Sequence, residues 1–172
     1  MHTSAQRSLV NRMKGAATLD IPTYEEVEAD TTATGQAAVV VAIVAVASAI
    51  GALRGGGASI IGGLVAAFIG WLIWSGVTYL IGTRVFGGTA TWGELLRTIG
   101  FAQSPGVLLV LGLIPVVGLL VRFAVWIWTL VAGIIAIRQA LDFSTGKAIL
   151  TALLGWLCMM VLVALFALPR AF

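Results

Sequence analysis

The chain has little of what a soluble enzyme is built from. Charged residues are 10% of its 172 residues, where soluble domains carry about a quarter. It has one histidine, His2, beside the N-terminus, and one cysteine, Cys158, inside an apolar run. A lone cysteine excludes an internal disulfide and reads as a small buried or lipid-facing residue. A lone terminal histidine leaves no nucleophile–base pair and no metal set. We therefore expect no catalytic residue, no metal and no cofactor, and the chain is not read as an enzyme. Phosphate loops are missing too: Arg54-Gly55-Gly56-Gly57 is followed by no Gly-Lys-Ser/Thr, and Gly146-Lys147 lacks the upstream glycine. The carboxylates Glu25, Glu26, Glu28 and Asp30 have no His or Cys beside them, so they read as a solvated face capping a helix rather than a metal site. The first 36 residues hold no short apolar core with a small-residue cleavage site, so no cleaved signal peptide is expected. Net charge is +3 and pI 9.6, but the ten basic residues are scattered singly, which fits membrane topology and not a nucleic-acid partner.

What is present is apolar length. Hydrophobic residues make up 60% of the chain and mean hydropathy is +1.07. The longest run, residues 107–137, carries a single charge, Arg122. It is too long for one crossing, since about 20 helical residues span a hydrocarbon core of about 30 Å. Its break is written at Pro115-Val116-Val117-Gly118: proline ends a helix at the residue before it, and glycine permits the turn. A helical hairpin results. Apolar runs on either side complete an all-α polytopic membrane bundle of five transmembrane helices, about residues 37–53, 58–81, 99–114, 119–138 and 148–168. A polar tail, residues 1–36, precedes this membrane domain, residues 37–172, and short amphipathic helices accompany it.

Leu9, Val10, Met13 and Ala17 recur near helical spacing with Arg7, Arg12 and Lys14 between them. Residues 5–17 thus form a basic amphipathic segment that either lies on an anionic leaflet or stays in a solvated tail, with Gly15 weakening it as a helix. Pro22, with Thr23 and Glu26 as a capping box, predicts a helix running on toward the first span. Small residues mark packing faces: Ala42, Ala45, Ala49 and Ala52 in the first span, the pairs Gly62/Ala66, Gly63/Ala67 and Ala66/Gly70 in the second, and Ala148, Ala152 and Gly155 in the last. Such faces let helix backbones approach closely in lipid. Thr91 and Glu94 make a second capping box before Leu95, Leu96, Ile99 and Phe101, with Arg97 among them, a short amphipathic helix expected in the interface. Pro105 separates it from the hairpin, whose first arm has only nine residues and about 14 Å of helical rise. That arm is either a kinked span that borrows residues from 99 onward, the preferred reading, or a re-entrant segment covered by protein.

Arg122 follows Gly118 by four residues and falls in the first turn of the next helix, where its side chain reaches the headgroups. At the bilayer centre it would cost about 2.5–3.5 kcal/mol. Arg138 ends the fourth span, Ser144 is placed to cap the fifth, and Lys147 follows it. Arg7, Arg12, Lys14, Arg84, Arg97, Arg138 and Lys147 fall on the tail side, against Arg54, Arg122 and Arg170 opposite, which puts the N-terminus in the cytoplasm and the C-terminus on the far side.

Taken in order, the acidic tail, the five spans, the hairpin at Pro115 and Gly118, the aromatic Trp126-Ile127-Trp128 helix, and Arg138 with the Ser144-Thr145-Gly146-Lys147-Ala148 loop resemble the Yip family. These are five-pass membrane proteins named for interaction with Ypt/Rab GTPases. The similarity runs over about residues 19–167 and is densest over 91–150. It implies a cytoplasmic N-terminus. The short tail is similar to the small bacterial members, which implies the bacterial inner membrane, and Rab binding is not carried over. The expected function is a non-catalytic scaffold or membrane-organising protein, or an accessory subunit of a larger complex, with membrane lipids and other membrane proteins or a second copy as partners. The alternative is a small channel or transporter that uses the break between Pro115 and Gly118, Arg122, Gln103 and Ser104 as a polar path.

Overall fold

A long apolar run in lipid has one local solution, because a helix satisfies its backbone groups within itself. The computed structural model of the chain describes residues 8–53 and 60–167, and among these every element is helical. Two short helices lead, α1 (Leu9–Ala17) and α2 (Ile21–Ala29). They are followed by α3 (Ala33–Gly51), α4 (Ile60–Arg84), α5 (Trp92–Ala102), a 3-10 helix (Ser104–Leu113), α6 (Val117–Ala140) and α7 (Thr145–Ala167). Four stretches are long and apolar enough to cross a membrane: α3, α4, α6 and the composite Trp92–Leu113. α7, with 23 residues, contributes the apolar stretch Thr145–Val161. The protein is an all-α membrane helical bundle. Expectations for His2, residues 5–7, the Arg54-Gly55-Gly56-Gly57 turn and Pro169-Arg170 lie outside the described residues.

Residues 8–36 of the tail are folded, and two local readings are corrected. α2 begins with Pro22 in its first turn, but its N-cap is Asp20, and the Thr23 hydroxyl donates to Asp20 Oδ2 at 2.5 Å. Nor does α2 run into α3. It stops at Asp30, whose Oδ1 accepts the Thr32 backbone N–H at 2.9 Å and the Thr32 hydroxyl at 2.6 Å, a local alternative to the next helical turn. Gly15, helix-weakening in α1, is where Thr23 packs, since a Cβ there would collide with Thr23 Oγ1. α5 carries the expected capping box of Thr91 and Glu94, at 3.3 and 2.8 Å. Its surroundings differ from those expected of an interfacial helix: all residues from Leu95 to Ala102 are buried, against α2, α3, α4 and α6.

The first arm of the hairpin continues α5 past Pro105 as a ten-residue 3-10 helix. A 3-10 helix rises about 2.0 Å per residue instead of 1.5, so the arm reaches about 20 Å, longer than the α-helical reading allowed. It lies against α3 and α6 at close range. A Cβ on Gly112 would sit 2.7 Å from the Gly51 carbonyl oxygen, one on Gly51 would strike the Leu109 carbonyl, and one on Gly118 would sit 2.8 Å from the Gly112 carbonyl oxygen. Gly118 is thus a contact residue already inside α6, and the turn belongs to another residue. Val116 has φ 66° and ψ −54°, and Val117 N–H donates to the Pro115 carbonyl at 2.7 Å, the geometry of a rare and strained γ-turn.

Gly112→Val should lower stability by about 1–3 kcal/mol or more through overpacking against backbone that has no room to yield. The control is Gly133→Ala in α6, where an added Cβ meets nothing within 4 Å; it should be neutral or stabilising by up to about 1 kcal/mol. Thermal unfolding of the detergent-solubilised protein reads both.

Candidate functional site

At one end of the bundle an arginine from α5 holds the tail. Arg97 Nε donates to the Val27 and Glu28 carbonyls at 2.9 and 3.1 Å, and its Nη2 donates to the Glu28 carbonyl as well. These are carbonyls of the last turn of α2, where a cation is favoured by the helix dipole and by oxygens that lack helical partners. A second arginine ties α1 to α2 and α3. Arg12, 1% exposed, donates to Glu26 Oε1 at 3.0 Å, to Asp30 Oδ2 at 2.6 Å and to Gln36 Oε1 at 3.0 Å. Glu26 and Asp30 therefore face a buried guanidinium, which corrects the reading of these carboxylates as a solvated face. Trp128 Nε1 of α6 donates to the Ala17 carbonyl at 2.7 Å, and Gln139 reaches Glu25 at 3.1 Å. The tail is thus fastened to three helices of the bundle.

The same end gathers Arg138, Ser144 and Lys147. Arg138 and Ser144 line an open cavity of about 470 Å³ with Gln139, Asp142, Phe143 and Thr145. The Ser144 carbonyl accepts the Ala148 N–H at 3.1 Å, the first bond of α7, as an N-cap residue does. Lys147 lies over the Phe143 ring, 5.4 Å from its centroid, and donates to the Phe86 carbonyl at 3.4 Å.

The opposite end is the hairpin tip, and Arg122 is its charge. Arg122 is exposed in the second turn of α6, and its Nη2 donates to the Gly51 carbonyl at the end of α3 at 3.2 Å. It lines a cavity of about 300 Å³ with Val44, Gln103, Gly106, Leu109, Val125, Trp126 and Thr129. Two of the polar residues singled out for a transport path, Arg122 and Gln103, meet here. Ser104 does not join them; it is buried and donates to the Phe101 carbonyl at 2.6 Å. Pro115 and Gly118 are not in the lining either.

The small-residue faces have two fates. Ala152 and Gly155 are buried; a Cβ on Gly155 would touch the Trp74 ring at 3.4 Å. Ala45 and Ala49 are buried on α3, yet they share with Gly62, Gly63 and Ala66 of α4 an open groove of about 580 Å³. An added Cβ on Gly63 or Gly70 meets nothing within 4 Å. Sequence reasoning missed the burial of Arg12, Arg97, Thr98 and Thr151, and of Ser75 and Thr78, whose hydroxyls have no hydrogen-bond partner among the described residues. For Arg97 the available signal was its place among Leu95, Leu96 and Ile99; for Arg12 it was the pair Glu26 and Asp30 four residues apart on one helix face.

Electrostatics at the tail end push in both directions. Burial alone would lower the Arg12 guanidinium, but hydrogen bonds to Asp30 and Glu26 outweigh it and hold it above its usual value. Asp30 is held below the usual carboxylate range by Thr32 and Arg12, against some burial. Burial raises the Tyr24 hydroxyl. Glu28 is pushed up to about 7, first by burial and then by repulsion from Glu94 and Asp142, with Arg97 pulling the other way and Glu25 adding to the rise. The unfolded chain, at the ordinary value of 4.5, releases this proton before the folded one does. Stability should therefore fall as pH rises from about 4.5 to about 7 and level off above. Glu28→Gln should flatten that fall in thermal unfolding measured across the window; an unchanged slope would overturn the assignment to Glu28.

Residues 17–166, from the end of α1 to the last turn of α7, match the family model described as Yip1 domain. No curated protein and no solved structure matches the chain. The match takes in 150 of the 172 residues and every membrane helix described above, so the chain belongs to the Yip family and is an integral membrane protein.

Proposed function

We propose that this protein is a non-catalytic membrane-organising protein that binds other membrane proteins, as a scaffold or an accessory subunit, and that α4 carries the contact. The observation behind this reading is the open small-residue face of α4. Gly62, Gly63 and Ala66 are exposed, and a Cβ added at Gly63 or Gly70 meets nothing within 4 Å. Within lipid, apolar side chains gain nothing by leaving the acyl chains, so association depends on close backbone approach and small residues supply it. In this reading the α4 face receives a helix of another chain, while the glycines of the hairpin crossing serve the internal fold.

The same reading sets five crossings, with α5 and the 3-10 helix acting together as the third. Arg12, Arg84, Arg97, Arg138 and Lys147 then lie with the tail in the cytoplasm, and the hairpin tip and C-terminus lie opposite, in a bacterial inner membrane. That orientation follows the excess of Lys and Arg on cytoplasmic loops.

Gly63→Leu places its side chain on the α4 face, where an added Cβ meets nothing within 4 Å. It should leave thermal stability within about 0.5 kcal/mol, as for surface changes generally, and abolish in-membrane cross-linking to partners or to a second copy. A wild-type protein that is monomeric in nanodiscs, copurifies with no partner and leaves vesicle shape unchanged would sink the proposal.

A further inference from the structure

Arg122 is a cation at an end of the bundle to which the chain brings no Asp or Glu side chain. All seven Asp and Glu residues belong to the α1–α2 region, the first turn of α5 or the α6–α7 turn, and these pack together at the other end of the bundle. The guanidinium makes one described bond, to the Gly51 carbonyl, which leaves most of its planar fork of donors for something else. It is exposed beside the hairpin tip.

Beneath it lies a groove of matching shape. Arg122, Val125, Trp126 and Thr129 recur at three and four residues, so they form one stripe of α6. Gly106 and Leu109 of the 3-10 helix and Val44 of α3 make the facing wall, and Gln103 completes the lining. From Arg122 to Thr129 the stripe runs about 10 Å, within the depth of one leaflet, about 15 Å. The walls are mostly apolar and the mouth is cationic. Gln103 stands on the side of this groove away from the tip, where it also lines the α3–α4 groove.

We propose that this groove holds an anionic phospholipid of the leaflet at the hairpin tip, with the phosphate on the Arg122 guanidinium and the upper part of one acyl chain against Val125 and Trp126. Charge complementarity selects the lipid. A zwitterionic headgroup would bring an ammonium to an end of the protein that has no carboxylate side chain, whereas a net anionic headgroup meets an unneutralised arginine. The bound phosphate would in turn hold Arg122 on the Gly51 carbonyl and so steady the end of α3.

Native mass spectrometry of the full chain, titrated with phosphatidylglycerol or phosphatidylcholine from mixed micelles, tests this. The wild type should retain phosphatidylglycerol in preference to phosphatidylcholine. Arg122→Gln should weaken that retention about tenfold, the value of one charge-assisted contact, and Arg122→Lys should recover part of it. Thr129→Phe fills the groove while keeping the arginine and the Gly51 bond, and should lower retention to a similar degree; it carries the test if Arg122→Gln fails to fold. Equal retention of the two lipids by the wild type, or unaltered phosphatidylglycerol binding in both Arg122→Gln and Thr129→Phe, would overturn the proposal. So would a copurifying protein chain lost in both variants with no lipid adduct in the wild type, which would assign the groove to a protein.

Discussion

Close approach of backbones around Gly51, Gly112 and Gly118 is the constraint on which the membrane part of this protein depends. Burying leucine against leucine brings little net gain in lipid, so helices hold together only where their surfaces meet at short range. Here the end of α3, the 3-10 helix and the start of α6 are brought together at glycines whose missing side chains the neighbouring carbonyls occupy. The hairpin tip follows from that contact. With the 3-10 helix pressed on α3 and Gly118 pressed on Gly112, the chain has only a few residues to reverse in, and Val116 takes up a positive φ that a β-branched side chain otherwise avoids.

The two ends of the bundle are built on different electrostatic terms. At the tail end, two buried or nearly buried arginines are surrounded by acceptors: Arg12 by carboxylates and an amide, Arg97 by main-chain carbonyls. Removing such acceptors leaves a desolvated charge, which is far more costly than the net gain of forming the pair. That arrangement makes α1 and α2 part of the fold and not an appendage. At the tip end, Arg122 is exposed and carries a single backbone contact, so its environment is set by the membrane as much as by the protein.

The membrane class, the helix order and the family were legible because they rest on long-range averages: apolar run length, a proline in a run, and the order of several weak motifs. The capping box of Thr91 and Glu94 was legible because it is local. What escaped was the pairing of charged residues with partners distant in sequence. Arg12 and Arg97 look like ordinary surface charges on amphipathic segments until the residues 14 to 70 positions away that receive them are known. Gly118 was recognised as special but for the wrong reason, since a glycine beside a proline suggests a turn and nothing local shows that another glycine crosses it. Of the residues singled out for function, Arg138 and Ser144 share a cavity, Arg122 lines another with Gln103, and Gly63 and Gly70 of α4 stay open, a division that no spacing rule could supply.

The 3-10 segment has a consequence for the protein's relation to bilayer thickness. Ten residues rise about 20 Å in 3-10 form and about 15 Å as an α-helix, while membranes of different composition differ in hydrocarbon thickness by only a few ångströms. Conversion of part of Ser104–Leu113 from one winding to the other would cover that range, but it would also turn Gly112 away from Gly51 and Gly118. The arm is also the element with the weaker hydrogen-bond geometry, so its winding is cheaper to change than that of α3, α4 or α6. The close contacts of Gly112 with Gly51 and Gly118 therefore hold the longer winding, and with it the reach of the arm to the hairpin tip.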